Sequence, residues 1–452
     1  VRKFMSTLQI IDNEKLMLTK GATDELLKKC SSILLDGEVR DITEEDKKQI
    51  LDQNNNFAEE GLRVLGYAFK KDASDELTFD DENNLTFVGL TSMIDPPREE
   101  SKDAVEKAIR AGIKPIMITG DHAVTARSIA RKIGIFQDGD MVVDGLTLEN
   151  MTDEELARDL EKISVYARVA PEHKIRIVNA WQAKGKVVGM SGDGVNDAPA
   201  LKQADIGIAM GITGSEVSKD AADMILTDDN FATIVKAVTV GRNIFTNIKN
   251  AIKYLLTGNT GAIFVVIATT LLAFFDSKFV VPFAAIQLLF INLVTDSLPA
   301  IAIGTEKGTD DVLKQKPRDP NEPILTRATF ASVLIEAALI AVAVFVGYYI
   351  GIETGEGYAT TFAFLTLCLA RLFNGFSCRS DQPLTKIGVF SNKNTVYAFL
   401  IGITLVGIIV FIPAVGSIFK VMSLNITQVL TIIGLAISPT IVTQIIKMIK
   451  SR

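Results

Sequence analysis

Val187-Val188-Gly189-Met190-Ser191-Gly192-Asp193-Gly194-Val195-Asn196-Asp197-Ala198-Pro199 runs from an apolar stretch through a glycine-rich acidic turn to a proline. That order predicts strand, tight loop and helix, because glycine tolerates the turn and proline fits a first helical turn. The glycines also let the backbone approach a phosphate closely. Asp193 falls just past the strand's carboxyl end, where open α/β sheets bind their ligands. A carboxylate at that place suits Mg²⁺, a hard cation that prefers oxygen and shares its sites with phosphate.

Outward from this loop, residues 98–240 alternate helix and strand, the pattern of a doubly wound sheet. Helices are expected at 100–111, 122–133, 171–184 and 198–203. Strands are expected at Ile113–Thr119, Ser164–Ala167, Lys186–Met190, Ile206–Met210 and Met224–Leu226. Residues 1–93 read as an incomplete α+β region. Its strands are expected at Phe4–Ile11, Lys15–Thr19 and Asn84–Leu90, and its helices at Thr23–Ile33 and Glu44–Lys70. Asp95-Pro96-Pro97-Arg98 is a stiff boundary, since successive prolines stop a helix.

The chain has 452 residues, enough for more than one domain. Its mean hydropathy of +0.27 is concentrated beyond residue 244. Six apolar stretches there, near 246–275, 283–304, 329–350, 359–378, 395–413 and 426–447, are each long enough to cross a bilayer. Lys307, Lys314, Lys316, Arg318, Lys386, Lys393 and Lys447 lie in alternate loops and at the C-terminus. The opposite turns carry little beyond Lys278 and Lys420. The positive-inside rule then puts the soluble region and the C-terminus in the cytoplasm. The net charge of -7 gives no nucleic-acid signature. Cys30, Cys368 and Cys378 show no metal or disulfide spacing, and His122 and His173 are too few for a multi-histidine metal site. No signal peptide is apparent, and Val1 opens inside a soluble pattern, as in a chain that begins mid-protein.

Two constellations carry chemistry. Thr119-Gly120-Asp121 ends one expected strand, and Asp193, Asn196 and Asp197 follow another. Parallel neighbours would gather Asp121, Asp193 and Asp197 at one rim, where clustered acids need a cation or bound protons. Lys174, in the first turn after Pro171, could supply positive charge to a phosphoryl group. In the second apolar stretch, Asn292, Thr295 and Asp296 stand at i, i+3 and i+4, on one helix face. Pro299 then interrupts the helix and can free carbonyls. Oxygen ligands without His or Cys suit a hard cation, and Asn259 could add another. Phosphate chemistry joined to a membrane bundle points to an ATP-driven pump.

The chain resembles the P-type ATPases. Lys20-Gly21-Ala22, Asp95-Pro96-Pro97-Arg98, Thr119-Gly120-Asp121 and Gly192-Asp193-Gly194-Val195-Asn196-Asp197-Ala198-Pro199 stand in that family's order and spacing. The resemblance implies part of a nucleotide-binding domain at 1–93, a haloacid-dehalogenase-like phosphorylation domain at 94–240 and a six-helix membrane domain at 241–452. It makes Asp193 the Mg²⁺ ligand and Lys174 a phosphate contact. Thr119 and Asp121 would line the phosphorylation site, and Asn196 and Asp197 would support it. Lys20 and Arg63 match positions at the adenine pocket and the phosphates, and Arg168 one on the ribose side of ATP. The family's Asp-Lys-Thr-Gly-Thr, its actuator domain and its first four membrane helices are absent. The chain therefore reads as the C-terminal part of a pump, inactive alone.

Asn292-Leu293-Val294-Thr295-Asp296-Ser297-Leu298-Pro299-Ala300 is similar to the sarcoplasmic-reticulum type of Ca²⁺ pump. Two-ion members place Glu at the positions of Ala262 and Arg371. A fixed cation at Arg371 would repel Ca²⁺ from that site. One Ca²⁺ per cycle follows, as in bacterial one-ion pumps of a plasma membrane, with Asn292 and Asp296 as ligands. Arg371 either pairs with Asp296 or snorkels to the interface. Mn²⁺ is the alternative cargo, and a membrane-tethered phosphatase the alternative activity.

Overall fold

The computed structural model describes residues 3–11, 14–71, 77–93 and 97–451, so Asp95 and Pro96 of the proline boundary lie outside it. The chain divides into two compact units. The first comprises Val1–Lys236 with Leu313–Pro320, and the second Ala237–Val312 with Asn321–Arg452.

The first unit opens with a mixed sheet. Its elements are β1 (Phe4–Ile11), β2 (Glu14–Gly21), α1 (Thr23–Leu27), β3 (Cys30–Leu35), β4 (Glu38–Asp41), α2 (Glu44–Glu59), β5 (Arg63–Lys71) and β6 (Leu85–Met93), with sheet order β1-β2-β5-β6-β3-β4. One face is apolar. Met17, Ala68 and Phe87 on the strands meet Leu26 and Leu27 of α1 in a closed cluster. Thr43 caps α2 reciprocally: its hydroxyl accepts from the Asp46 amide (3.2 Å), and the Asp46 carboxylate accepts from the Thr43 amide (2.8 Å). Hydrogen bonds from Arg40 and Thr43 hold the Asp46 carboxyl well below the usual range.

Two expected helices are shorter than the sequence suggested. The first ends at Leu27, and Cys30–Leu35 instead pairs parallel to β6 and antiparallel to β4. The second ends at Glu59. Gly61, with φ +83°, turns the chain, and Arg63–Lys71 becomes the central strand β5. In both, ladder partners remote in sequence outweigh local helical periodicity.

The rest of this unit comprises α3 (Glu99–Arg110), β7 (Met117–Thr119), α4 (Ala123–Lys132), β8 (Met141–Asp144), α5 (Gly145–Asn150), α6 (Asp153–Asp159), β9 (Ile163–Ala167), α7 (Pro171–Ala183), β10 (Gly189–Gly192), α8 (Ala198–Gln203), β11 (Ile206–Met210), α9 (Glu216–Ala221) and β12 (Met224–Leu226). The ladder forms two parallel three-stranded sheets, β7-β9-β8 and β10-β11-β12, in place of one continuous sheet. Ile116, Ile118 and Val188 pack against one apolar cluster, so the two sheets adjoin through side chains. β7 is shorter than expected, and β10 begins only at Gly189. The Val188 amide is taken by the Asp205 carboxylate (2.8 Å), which competes with earlier ladder pairing.

The second unit is helical: α10 (Phe231–Ala273, whose first residues belong to the first unit), α11 (Ala285–Phe290), α12 (Ser297–Gly304), α13 (Arg327–Thr354), α14 (Tyr358–Ser377), α15 (Leu384–Ile387), α16 (Lys393–Phe411), α17 (Pro413–Ile418) and α18 (Ile426–Lys450). Six spans among the described residues are long and apolar enough to cross a membrane, with α11 and α12 forming one of them. α10 begins at Phe231, fifteen residues before the expected 246, because Gly241 is carried inside the helix and does not end it. α14 is buried along nearly its whole length. Gly347 and Gly351, four apart on α13, let it approach α14 closely, since a β-carbon at Gly351 would lie 2.6 Å from the Tyr358 carbonyl oxygen.

Charges inside this bundle are matched. Lys253 pairs with Glu336 at 2.8 Å, both nearly fully buried. Glu306, just beyond α12, accepts from Arg379 Nε (2.8 Å) and Nη2 (2.9 Å) and from Asn392 Nδ2 (2.8 Å). Lys447 donates to the carbonyls of Ser377 and Ser380 at the end of α14, where a helix presents negative charge.

Leu26→Ala should cost the first unit about 3 kcal/mol, because its side chain is fully enclosed. Hydrogen exchange of the β2 and β5 amides should then speed on the order of a hundredfold. Unchanged exchange would show that the site collapses without loss.

Candidate functional site

The Gly192–Pro199 loop is built around one buried carboxylate. Asp197 accepts from the amides of Asp193 (3.2 Å) and Gly194 (3.1 Å) and from the Lys174 ammonium on α7. Gly192 is required by this packing, because a β-carbon there would sit 2.5 Å from Asp197 Cβ. The Asp193 carbonyl accepts from the Ser215 amide (2.8 Å) and from the buried Ser218 hydroxyl (3.1 Å) at the start of α9. The loop is thus pinned from both sides. The Asp193 carboxylate is exposed, with no hydrogen-bond or ion-pair partner among the described residues.

Asp193, Lys174, Asp197 and Ile118 line a cavity of about 370 Å³ with Arg98, Thr213 and Asp229. Arg98 was read from the sequence only as the end of the proline boundary, and Thr213 and Asp229 were not singled out. The available signal was an acid just beyond a strand's carboxyl end, which Asp229 after β12 satisfies. Asp229 has φ +47° and accepts from the amides of Ile212 (3.0 Å) and Thr213 (2.8 Å) and from the Thr213 hydroxyl (2.8 Å). Thr119 and Asp121 close their own turn at the end of β7: Thr119 Oγ1 lies 3.1 Å from both the Asp121 amide and its carboxylate. Thr119, Gly120, Asp121 and Asn196 are not among the cavity's lining residues, whereas Ile118, next to Thr119, is.

Lys20 lies on a second cavity of about 730 Å³ over the β1-β2-β5 face, with Tyr67 and Phe69. Arg63 opens β5, exposed and outside it. Arg168 has φ +49°, and its amide donates to the Asp121 carbonyl (3.1 Å). Burial, and then the Arg168 charge, lowers the His122 pKa.

In the second unit, Arg371 of α14 is 1% exposed and Asp296 is 3% exposed. Arg371 Nη1 lies 3.0 Å from Asp296 Oδ2, and Nη2 donates to Asn259 Oδ1 at 2.7 Å. Arg371 therefore pairs and does not snorkel. Asp296 Oδ1 and Arg371 Nε, both buried, have no partner among the described residues. Residues 291–295 form a π-helical turn, closed by the Asp296 amide on the Ile291 carbonyl (3.0 Å). This corrects the expected shared face: Thr295 and Asp296 are buried, while Asn292 is exposed. The i, i+4 rule holds for 3.6 residues per turn, and a π turn carries an extra residue. The Thr295 hydroxyl donates to the Ile291 carbonyl (2.9 Å), and the Tyr254 hydroxyl, not foreseen from the sequence, donates to the Thr295 carbonyl (2.8 Å). Ala262 is half-buried in the apolar cluster around α14.

The donors to Asp229, beginning with the Ile212 amide, hold its carboxyl down to about 2. An unfolded Asp titrates near about 3.9, so this contribution is complete above that pH and is lost as pH falls towards about 2. The thermal midpoint of the native chain should therefore exceed that of Asp229→Asn at neutral pH, with the gap closing under acid. Asn tolerates the same backbone. A pH-independent gap would assign the effect to packing.

Comparison with known proteins follows the same division. The family model for the C-terminus of cation-transporting ATPases matches residues 280–449, and that for the P-type ATPase cytoplasmic domain N matches residues 1–100. A calcium-transporting ATPase of Listeria monocytogenes is 47% identical over 100% of this chain and 51% of its own length. One of Lactococcus lactis is 46% identical over 99% and 51%, and one of Saccharomyces cerevisiae 39% identical over 99% and 48%. The chain spans about half the length of these relatives. With the acidic loop, the six spans and the buried Asp296 in place, this chain belongs to the P-type cation-transporting ATPases.

Proposed function

We propose that the chain is the C-terminal part of an ATP-driven pump that exports Ca²⁺ from the cytoplasm. The observation that carries this reading is Asp296. It is an acid buried in a membrane-spanning segment, with one carboxylate oxygen on Arg371 and the other without a partner among the described residues. Such a group is costly unless it serves a cation. The names of the relatives, all calcium-transporting ATPases, support Ca²⁺ over Mn²⁺.

On this reading, β1–β6 belong to a nucleotide-binding domain, and Lys20 faces the adenine of ATP with Arg63 and Arg168 towards its phosphates and ribose. The parallel sheets form a haloacid-dehalogenase-like phosphorylation domain. An aspartate in the upstream part of the pump accepts the γ-phosphoryl group. The residues fit Mg²⁺, because Lys174 neutralises Asp197 and hydrogen bonds occupy Asp229, which leaves Asp193 as the open oxygen donor. Asp193 would hold Mg²⁺, which supplies charge neutralisation to phosphate oxygens. Lys174 positions the loop through Asp197 and offers positive charge at the cavity. Thr119, Gly120, Asp121 and Asn196 order the surrounding turns.

Thr295 and Asn259 join Asp296 around the transported ion, together with upstream ligands, while the exposed Asn292 lies off that buried group. The Arg371 guanidinium, held on Asp296, fills one charge position of the site. Ala262 adds no carboxylate to replace it. One Ca²⁺ per cycle is the consequence. Differential binding of that ion between two conformations couples it to phosphorylation. The first unit and the C-terminus face the cytoplasm, following the Lys and Arg loop bias.

Acid-stable phosphoenzyme formed from ATP by the complete pump should depend on Ca²⁺. Asp296→Asn should abolish that dependence, and Asp193→Asn should abolish Mg²⁺-supported phosphorylation. Phosphorylation that ignores Ca²⁺, or follows Mn²⁺ instead, would overturn the cargo assignment.

A further inference from the structure

Gly258 stands on α10, one residue before Asn259, and faces the Arg371 guanidinium. A β-carbon on Gly258 would lie 2.2 Å from Arg371 Nε, 2.5 Å from Nη2 and 2.6 Å from Cζ. Non-bonded heavy atoms settle at about 3.5–4.0 Å, so none of these contacts is tolerable. An arginine head group usually yields to such a clash by swinging away. This one is held by Asp296 through Nη1 and by Asn259 through Nη2, inside a wall that leaves it 1% exposed. It can yield only by giving up those partners.

We propose that Gly258 is a specificity-determining residue of the ion site. The space left by its missing side chain is the seat of the Arg371 guanidinium, and that seat sets a fixed positive charge on Asp296. The proposal rests on the reading that Asp296 takes the transported cation. Two residues on different helices thus form one unit: Arg371 supplies the charge, and Gly258 decides where it stands. Alanine is the better helix former, so backbone propensity favours a substitution here and would not itself disturb α10.

The test is a double-mutant cycle in the complete pump, with Ca²⁺ as the probe. Ca²⁺-dependent phosphoenzyme is titrated in the native pump, Gly258→Ala, Arg371→Met and the double variant. Displacing the guanidinium frees Asp296 from a competing cation. Gly258→Ala should therefore lower the half-maximal Ca²⁺ concentration at least about threefold, in the same direction as Arg371→Met. Added to Arg371→Met, it should do almost nothing, because the clash has gone. If Arg371→Met does not accumulate, Arg371→Lys, which lacks the planar head, takes its place in the cycle.

Equal effects of Gly258→Ala on both backgrounds would overturn the inference, as would no effect or a weaker Ca²⁺ response on the native background. If Gly258→Ala prevents accumulation with Arg371 present but not with Met or Lys, the clash is demonstrated by folding instead. Failure on every background assigns Gly258 to backbone packing and also overturns the inference. Asp296→Asn is run alongside. If it leaves Ca²⁺ dependence intact, the ion-site reading fails by itself, whatever the cycle shows.

Discussion

A carboxylate and a guanidinium facing each other inside an apolar bundle determine much of what surrounds them. Removing two charges from water costs several kcal/mol each, and only close pairing and further hydrogen bonds offset it. Asp296 and Arg371 meet this condition incompletely. Their contact is close, and Asn259 takes a further donor, but one oxygen and one nitrogen have no partner among the described residues. A wholly structural ion pair would leave fewer loose ends. Glu306 shows the contrast: three side-chain donors close around it. The bundle thus contains acids closed off by their partners, Glu306 and the Lys253-paired Glu336, and one unsaturated acid, which lies beside the irregular turn of its helix.

The acidic loop of the first unit uses the same division of labour. Three acids border one cavity, yet they are not equivalent. Asp197 is enclosed and spent on two amides and a lysine, so it fixes the backbone. Asp229 is spent on the 212–213 turn. Asp193 is held only through its backbone, with its side chain left open. Clustered acids repel, and this arrangement limits the conflict by giving two of them local donors. Rigidity comes from the neighbours, and the Asp193 carboxylate stays open among the described residues.

Much of this was legible in the sequence. The strand–loop–helix at Val187–Pro199 announced itself through glycine and proline placement, and the spans through length and hydropathy. An isolated base in an apolar run made Arg371 conspicuous, and pairing with Asp296 was one of the two readings the sequence left open. Less was legible where structure depends on remote partners. β3 and β5 look helical locally and become strands through pairing with β6. Asp193 and Asp197 are alike as letters, and only the approach of Lys174 and the two amides separates them. The exposed Asn292 was hidden by a surplus residue in the turn, which no simple periodicity reveals. Gly258 carries no chemical signal of its own, and its meaning lies in what occupies the space beside it.

The enclosure of Glu306 has a mechanical corollary. Arg379 follows α14, Asn392 precedes α16, and Glu306 follows α12, so one carboxylate rivets three helix ends together. Pulling the Glu306 end away strands the fully enclosed Arg379 guanidinium without its acid. These ends can shift only as a single block. Earlier on the same segment, ahead of α12, the turn at 291–295 departs from regular α-helical bonding. Stress applied to the block is therefore concentrated there instead of spreading along the rod, and bending would occur beside Asp296.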